Sequence, residues 1–385
     1  MRNCDLDFKL EEVLPKFPAE LKKKIMHSVE LLRKSEKLAE AYDPTDHFFL
    51  AFSGGKDSQC LYHVAKIAGV KFRAHMNLTS VDPPEVIRFV KTESPDVILA
   101  KPKDSIFNLA VKKAILPTMR VRWCCAEYKE MAGAGKVTLI GIRHSESARR
   151  ARRKEVEISN HGYSGNLEGL AEYRKQRNSK RKPRKGTFSI INVNGESEVG
   201  CIHGKESLLI SPIIDWTDDD VWTFLNTLGV KHCCLYDEGF PRIGCILCPM
   251  SQRKQKEVEM KRWLHVKRGW IKAIKAIRKK GGIRKRIYLV EHPGQPYPTP
   301  KSRMEAQIGI QQEKFAKGFT QKTDAQNSFY RAKKITTKGF SDCVSPDGLT
   351  EAQEDEIAEN IFDWWISGKS YKKWYAEKFL QQDLF

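Results

Sequence analysis

The sequence has no long hydrophobic run. Nowhere in its 385 residues do about 18 apolar residues follow one another, which excludes the pattern of a membrane-spanning helix. The first residues, MRNCDLDFKLEE, lack the apolar stretch and the cleavage pattern of a secretory signal peptide. We therefore expect a cytoplasmic protein that makes no membrane contact.

Two common nucleotide-binding patterns are also missing. Neither the Walker A pattern, Gly-x4-Gly-Lys-Ser/Thr, nor the dinucleotide pattern GxGxxG occurs, and no internal repeat is visible. What the sequence does contain is 40% hydrophobic residues and eight tryptophans, which excludes a mainly disordered chain. The length predicts two or three folded domains.

Acidic residues are in the minority. The chain has 68 Lys and Arg against 48 Asp and Glu, a net charge of +20, and two segments hold the excess. Residues 149–185 carry 13 basic and 4 acidic side chains, and residues 253–286 carry 15 and 2. We expect these segments to bind nucleic acid, DNA or tRNA, with a solvated helix face and a basic loop as the plain alternative. The basic residues expected to form one helical stripe are Lys254, Lys261, Arg268, Lys272 and Lys275.

Apolar, strand-like runs alternate with helix-like stretches along the first half of the chain. The runs are 47–52, 71–78, 96–100, 136–142 and 207–216. This alternation predicts an α/β fold, a Rossmann-like doubly wound parallel sheet with helices on both faces. We expect three parts: a helical N-terminal segment at 1–44, the sheet domain at 45–250 with a basic insertion at 149–200, and a mainly helical, basic C-terminal region at 251–385.

Helical periodicity is clearest in three further stretches. Residues 18–41 predict an amphipathic helix with Leu21, Ile25, Val29 and Leu32 on its apolar face. The run TDDDVWTFLNTLG has acids in its first turn and predicts a helix capped by Thr217. Residues 252–280 read as one long basic helix, in which we interpret Trp263 and Trp270 as core anchors.

The motif SGGKDS at residues 53–58 lies between an apolar strand and a helix. Ligands bind at such strand ends in open α/β sheets. Two glycines let successive N–H groups point at one anion, and the helix N-terminus adds partial positive charge. Lys56 can reach a phosphate, Ser53 and Ser58 add hydroxyl donors, and Asp57 can cap the helix or help to hold a metal ion such as Mg²⁺. A phosphate-binding loop is predicted, and the alternative is a plain Gly-Gly turn.

SGGKDS resembles the PP-loop of the adenine nucleotide alpha-hydrolase superfamily, which includes ATP pyrophosphatases, tRNA thiolation enzymes and phosphoadenosine phosphosulfate (PAPS) reductases. Within this superfamily the chain most resembles the PAPS reductase family. The further matching motifs are TSVDPPEVIRFV (79–90), GIRHSESARR (141–150), SPIIDWTDDDVWTFL (211–225) and YDEGFPRIGCILCP (236–249). Together they span roughly residues 45–250.

The resemblance implies that an adenine nucleotide, ATP or PAPS, binds with its phosphates at residues 53–58. Arg143 and Arg150 would offset negative charge on the leaving group and, with Lys56 and Asp57, are the expected catalytic residues. The alternative for Arg150 is that it belongs only to the basic insertion and has no role at the nucleotide. The expected cofactor-binding residues are Ser53, Gly54, Gly55, Lys56, Asp57, Ser58, Thr79, Arg143, Glu146 and Ser147.

Ten cysteines in a reducing compartment predict metal ligands, catalytic thiols or core residues rather than disulfides. Cys60, in the helix after the loop, is expected in the core. The CxxC at Cys245 and Cys248, with thiols elsewhere, can supply the four thiolates of a 4Fe-4S cluster, while zinc and plain buried thiols are alternatives. Similarity to cluster-bearing adenylylsulfate reductases implies the ligands Cys124, Cys125, Cys245 and Cys248. Similarity to sulfur-transfer enzymes of DNA phosphorothioate modification implies Cys124, Cys233, Cys245 and Cys248.

The sequence lacks the C-terminal Glu-Cys-Gly segment whose cysteine is the nucleophile of sulfonucleotide reductases. We therefore expect a PP-loop enzyme that activates its substrate with ATP and transfers sulfur through the cluster to a nucleic acid, with a sulfur donor protein as a further partner. The first alternative is a PAPS or adenylylsulfate reductase that produces sulfite. The second is a nucleotide-dependent DNA-binding regulatory protein without turnover.

Overall fold

The protein is described here from a computed structural model. The described residues are 2–119, 121–130, 132–159, 207–279, 351–369, 373, 374 and 377. Most of the predicted basic insertion, with Cys201, and the segment 280–350, with Cys343, lie outside them. Among the described residues, no helix combines the length and the apolarity needed to cross a bilayer.

By its backbone contacts the chain divides into two compact units. The first consists of Met1–Lys103 and Trp123–Ile246, and the second of Asp104–Arg122 and Leu247–Phe385. The three-part division expected from the sequence stays a prediction.

A six-stranded sheet forms the centre of the first unit. Its strands, in chain order, are β1 (Phe48–Ala51), β2 (Phe72–Asn77), β3 (Ile98–Ala100), β4 (Val137–Leu139), β5 (Val156–Ser159) and β6 (Ser207–Ile210). They lie side by side in the order β3-β2-β1-β4-β6-β5. All neighbours are parallel except β5 and β6. The predicted Rossmann-like sheet is confirmed, with one correction at its edge.

That correction concerns β5, which falls at the start of the predicted insertion. Its sequence, VEIS, alternates apolar and polar residues, the pattern of a strand with only one buried face. The strand runs antiparallel to β6, with Val156 opposite Ile210 and Glu157 opposite Leu209. The sheet is therefore mixed and mostly parallel.

Helices surround the sheet in the first unit and build the second unit. In chain order they are α1 (Leu10–Val13), α2 (Ala19–Tyr42), α3 (Lys56–Ala68), α4 (Pro84–Glu93), α5 (Ile106–Lys113), α6 (Trp123–Cys125), α7 (Asp218–Thr227), α8 (Arg253–Arg262), α9 (Leu264–Lys279) and α10 (Glu351–Ser367).

The predicted apolar positions form the core of the first unit. Leu21, Ile25, Val29 and Leu32 of α2 are all buried, as expected from their helical spacing. The central strands are buried along almost their whole length. Thr217 caps α7: its hydroxyl accepts the N–H of Asp220, and the Asp220 carboxylate accepts the N–H of Thr217.

In the second unit α9 packs on α5 and α10. Trp270 of α9 is buried between Phe107 of α5 and Trp365 of α10, with ring centroids 5.1 and 4.8 Å away. The indole N–H of Trp365 donates to the carbonyl of Pro117 at 2.6 Å. The interpretation of Trp263 and Trp270 as core anchors is confirmed, since both are buried.

The expectation of one long helix over 252–280 is wrong. The chain leaves helical geometry at Trp263, whose φ and ψ are −114° and 61°, and α8 and α9 are separate helices. Burial of the Trp263 side chain accompanies this break, and its N–H still closes α8 by donating to the carbonyl of Glu259. No glycine or proline marks the break, so periodicity alone could not reveal it.

Gly54 offers a test of how tightly the loop 53–58 is packed. Its φ is +71°, and a Cβ added there would lie 2.8 Å from methyl groups of Val86 and Val90 on α4. Gly69, with the same φ, has no described atom within 4 Å of such a Cβ. Gly54→Ala should therefore lower the free energy of unfolding about 1–3 kcal/mol more than Gly69→Ala does, because only Gly54 adds overpacking to the shared left-handed strain. Urea unfolding of both variants measures the difference, and equal losses would contradict the tight packing.

Candidate functional site

The loop 53–58 lies at the carboxyl end of β1, at the centre of the sheet. From β1 the chain continues through β2 and β3 on one side, then returns to place β4 on the other side. The order therefore reverses between β1 and β4, and the crevice outside such a switch point is where open α/β sheets bind ligands. The loops that follow β1 and β4 both start at this crevice.

The hydroxyl of Ser58 closes the loop on itself. It donates to the carbonyl of Gly55 at 2.8 Å and accepts the backbone N–H of Ser53 at 3.2 Å. The Ser53 hydroxyl lies 3.1 Å from it. These two serines, expected as donors to phosphate, therefore also hold the loop in shape.

Four charged side chains meet beside the loop. The Lys56 ammonium lies 3.0 Å from a carboxylate oxygen of Asp218 and 3.7 Å from one of Asp57. The Arg143 guanidinium binds Asp57 through Nε and Asp218 through a terminal nitrogen, each at 2.7 Å. The two cationic side chains are only 6% and 3% exposed, whereas Asp218 is 59% exposed. The structure thus brings together three predicted residues and Asp218.

The electrostatics favour the charged forms of Arg143 and Asp218. Burial opposes ionisation of Arg143, but Asp57 and Asp218 outweigh it and raise the pKa of Arg143 above its ordinary value. Partial burial also disfavours the Asp218 carboxylate, but Lys56 and Arg143 outweigh this and lower its pKa. The Lys56 ammonium and the Arg143 guanidinium thus lie buried against carboxylate oxygens, which is the arrangement that binds an oxyanion.

The loop after β4 presents Arg143. The Arg143 N–H donates to the carboxylate of Glu146 at 2.9 Å, and Glu146 also forms an ion pair with Arg150. The N–H of Arg150 donates to the hydroxyl of Ser147 at 3.3 Å. The described contacts of Glu146, Ser147 and Arg150 therefore lie within their own loop. Their predicted roles toward the nucleotide stay predictions.

Tyr236 is a contributor that sequence reasoning did not single out. Its hydroxyl accepts the backbone N–H of Lys56 at 2.9 Å, at the first turn of α3. Burial raises the pKa of Tyr236, so the phenol stays neutral. Its ring contacts Trp222 and His232 edge to face. Tyr236 opens the segment YDEGFPRIGCILCP, one of the motifs that resemble the family, but nothing in the sequence indicates its partner.

Cys245 lies next to a hydroxyl group and a lysine ammonium. Its sulfur accepts the hydroxyl of Thr79 and the ammonium of Lys129, each at 3.4 Å. The neighbouring Cys245 is the largest influence on Lys129 and raises its pKa, and Asp82 and Cys125 add to this rise. Cys125 and Cys245, two of the expected ligands, are thus both close enough to Lys129 to influence its charge.

The remaining expected ligands are distributed over the fold. Cys124 precedes Cys125 on α6, and Cys233 is buried, which raises its pKa to about 11. Cys248 belongs to the second unit. The described part of the chain contains no group of three or more His, Cys, Asp and Glu side chains that could hold a metal ion. Thiols suit a cluster chemically, and the cluster with its ligand set stays a prediction. Cys60 is buried, as expected of a core residue.

The two basic segments are described in part. Of 149–185 the structure describes 149–159, and of 253–286 it describes 253–279. Three cations of the second segment are engaged within their unit: Lys256 is buried and donates to the carbonyl of Ile366, and Lys275 and Arg278 pair with Asp355 and Glu354. The residues of the predicted stripe that are exposed, named the exposed basic set below, are Lys254, Lys261, Arg268 and Lys272.

Comparison with known sequences identifies related proteins. Residues 47–251, just over half of the chain, match the family described as "Phosphoadenosine phosphosulfate reductase domain". An uncharacterised protein of Methanocaldococcus jannaschii is 26% identical over 251 residues, 63% of this chain and 51% of that protein. Adenosine 5'-phosphosulfate reductase 2 of Bacillus subtilis is 34% identical over 58 residues, 15% of this chain and 25% of the reductase. The chain thus spans about half the length of the first relative and about a quarter of the second.

Solved structures give weaker similarities. PAPS reductase of Candida auris has a TM-score of 0.32 and 15% identity, covering 57% of this chain and 93% of that one. The U34-tRNA thiolase NcsA of Methanococcus maripaludis, described with its 4Fe-4S cluster, has a TM-score of 0.27 and 13% identity, covering 68% and 81%. These scores carry no functional argument.

Proposed function

The chain belongs to the phosphoadenosine phosphosulfate reductase domain family, and from this premise we propose that it is a PP-loop enzyme of ATP-dependent sulfur transfer to a nucleic acid. Adenine nucleotide binding fits the family. The proposal places the phosphates of ATP against the loop 53–58, between Lys56 and Arg143.

One observation carries this proposal: two buried cations meet at the switch point of the sheet. Lys56 starts the helix after β1, and Arg143 lies on the loop after β4. Lys56 and Arg143 are already paired with Asp57 and Asp218, but Asp218 is exposed, so a phosphate that took its place would keep the two buried cations neutralised. A nucleotide triphosphate supplies such a phosphate.

The site residues suit phosphate chemistry. In the first step an oxygen of the acceptor attacks the α-phosphorus of ATP, the bond from that phosphorus to the pyrophosphate oxygen breaks, and the acceptor proton goes to solvent. Lys56 and Arg143 stabilise the charge that develops on the pyrophosphate. In the second step, sulfur at the oxidation level of hydrosulfide bonds to the activated atom, and AMP leaves with the acceptor oxygen. The acceptor thereby exchanges one oxygen for one sulfur.

A nucleic acid is the acceptor class that the charge distribution supports. The exposed basic set lies on α8 and α9 of the second unit. A small sulfonucleotide needs no such surface, whereas a nucleic acid backbone binds through phosphate contacts with Lys and Arg.

A second candidate is reduction of PAPS or adenylylsulfate to sulfite, which the family assignment itself favours. The two candidates share the nucleotide site and differ in product. Pyrophosphate released from ATP indicates the first, and sulfite released from a sulfonucleotide in the presence of a thiol reductant indicates the second.

Nucleotide binding is tested by replacing one buried cation. Lys56→Met keeps the length of the side chain and removes its charge, so it should weaken ATP binding by roughly 10- to 100-fold, the loss expected for a charge-assisted hydrogen bond of about 1.5–3 kcal/mol. Calorimetry measures the dissociation constant. Lys71→Met, at an exposed lysine outside the loop, is the control and should change nothing. Equal ATP affinity in the Lys56 variant and the wild type would refute this placement of the phosphates.

Cluster binding is tested by the colour of the protein. We expect anaerobically purified protein to be brown, with broad absorption near ~400 nm from thiolate-bound iron. Cys245→Ser should lower the iron content per chain, while Cys234→Ser, at an exposed cysteine outside the expected ligand sets, should leave it unchanged. Colourless protein with one zinc per chain would replace the cluster by structural zinc, and metal-free protein would refute both.

Nucleic-acid binding is tested by its dependence on salt. Each phosphate contact releases counterions, so the affinity for tRNA or duplex DNA should fall about a thousandfold between 50 and 200 mM salt if about six contacts form. Reversing the charge of the exposed basic set, all four residues to Glu, should weaken this binding and leave ATP affinity intact.

The matched control reverses four exposed lysines of the first unit. These residues are Lys16, Lys23, Lys37 and Lys91. Since the change in net charge is the same, an equal loss of binding in both variants would show that net charge, rather than this surface, attracts the nucleic acid. If the wild type binds neither tRNA nor duplex DNA at 50 mM salt, a small sulfonucleotide becomes the better substrate.

A further inference from the structure

Asp218 bridges the two cations of the proposed phosphate site. One of its carboxylate oxygens lies 3.0 Å from the Lys56 ammonium and 2.7 Å from a terminal nitrogen of Arg143. An oxygen shared between an ammonium and a guanidinium is also the arrangement that a phosphate oxygen would adopt between these groups. We propose that Asp218 is an internal competitor of the nucleotide, a carboxylate that holds the place of a phosphate until the phosphates displace it. This inference rests on the proposed function.

The balance of charge is the first argument. Lys56 and Arg143 contribute two positive charges, and Asp57 and Asp218 contribute two negative ones, so the group is neutral as it stands. A phosphate that approached this neutral group would meet two carboxylates, and like charges a few ångströms apart repel each other strongly in a partly buried site. Tight phosphate binding therefore requires one carboxylate to withdraw.

Exposure shows which carboxylate can withdraw. The side chain of Asp218 is 59% exposed, whereas that of Asp57 is 22% exposed. Asp57 contacts Nε of Arg143 from within the loop 53–58 itself. Asp218 is the first residue of α7, and its rotation into solvent would break no hydrogen bond of the helix cap, which Thr217 and Asp220 form. Asp218 is thus the displaceable partner and Asp57 the permanent one.

Two further aspartates next to Asp218 allow its effect on the site to be separated from its effect on the helix. Asp218, Asp219 and Asp220 all stand in the first turn of α7, where negative charge stabilises a helix by about 0.3–1 kcal/mol. Asp220 forms the helix cap with Thr217 and an ion pair with Lys24. Asp219 is exposed and has the same charge and nearly the same position on the helix as Asp218. A variant of Asp219 therefore reproduces the helix effect of an Asp218 variant without touching Lys56 or Arg143.

The test compares Asp218→Asn with Asp219→Asn by calorimetry. Asp218→Asn should bind ATP about tenfold more tightly than the wild type, as expected if Asp218 is paired with Lys56 and Arg143 in about nine-tenths of the unliganded molecules. Pyrophosphate should gain affinity in the same way. Adenosine, which has no phosphate, should bind equally to both variants and to the wild type. Asp218→Ala, which removes the side-chain oxygen as well as the charge, should show at least the gain of Asp218→Asn.

Two outcomes would overturn the inference. If the wild type binds ATP and both Asp218 variants, still folded by circular dichroism, bind it equally or more weakly, then Asp218 supports the site rather than competes for it, and the proposed function stands without this inference. If neither the wild type nor any variant binds ATP or pyrophosphate, the proposed function fails and the inference falls with it. A gain of affinity shared by Asp219→Asn would assign the effect to overall charge and likewise overturn the inference.

Discussion

The structure of the site depends on one constraint: two buried cations must be neutralised. Lys56 and Arg143 lie almost fully out of solvent, and Asp57 and Asp218 provide the two counter-charges. Removing a single partner from such a group would leave an uncompensated buried charge, which is far more costly than losing an exposed ion pair. The group joins the loop after β1, the loop after β4 and the start of α7, and so fixes three distant parts of the chain around one crevice.

The surrounding residues make that crevice rigid. Gly54 takes a left-handed conformation against two valines of α4, Ser58 closes the loop, and Tyr236 accepts the N–H of Lys56. Each contact fixes backbone that would otherwise have to be ordered when a ligand binds, so less of the binding energy is lost to ordering. Of the four charged side chains of the site, Asp218 is the most exposed, so under the proposal a ligand displaces this side chain and leaves the backbone in place.

Local sequence patterns predicted much of this fold, but they did not predict contacts between residues that are distant in the sequence. The five parallel strands, the buried face of α2, the Thr217 cap and the loop 53–58 follow from periodicity and capping signals within about ten residues. Tyr236 lies 180 positions from Lys56, and no local pattern links the two. The break at Trp263 and the antiparallel edge strand also depend on tertiary packing, as does the burial of Lys256 within the basic segment 253–286. Membership of the WTDDD motif likewise did not distinguish Asp218 from its neighbours.

The central claim is that nucleotide phosphates bind between Lys56 and Arg143. A crystal structure of the protein with a non-hydrolysable ATP analogue tests it most directly. We expect phosphate oxygens within hydrogen-bond distance of the Lys56 ammonium and the Arg143 guanidinium, with Asp57 still paired to Arg143 and Asp218 turned toward solvent. An analogue bound elsewhere, with all four ion pairs of the site intact, would contradict it.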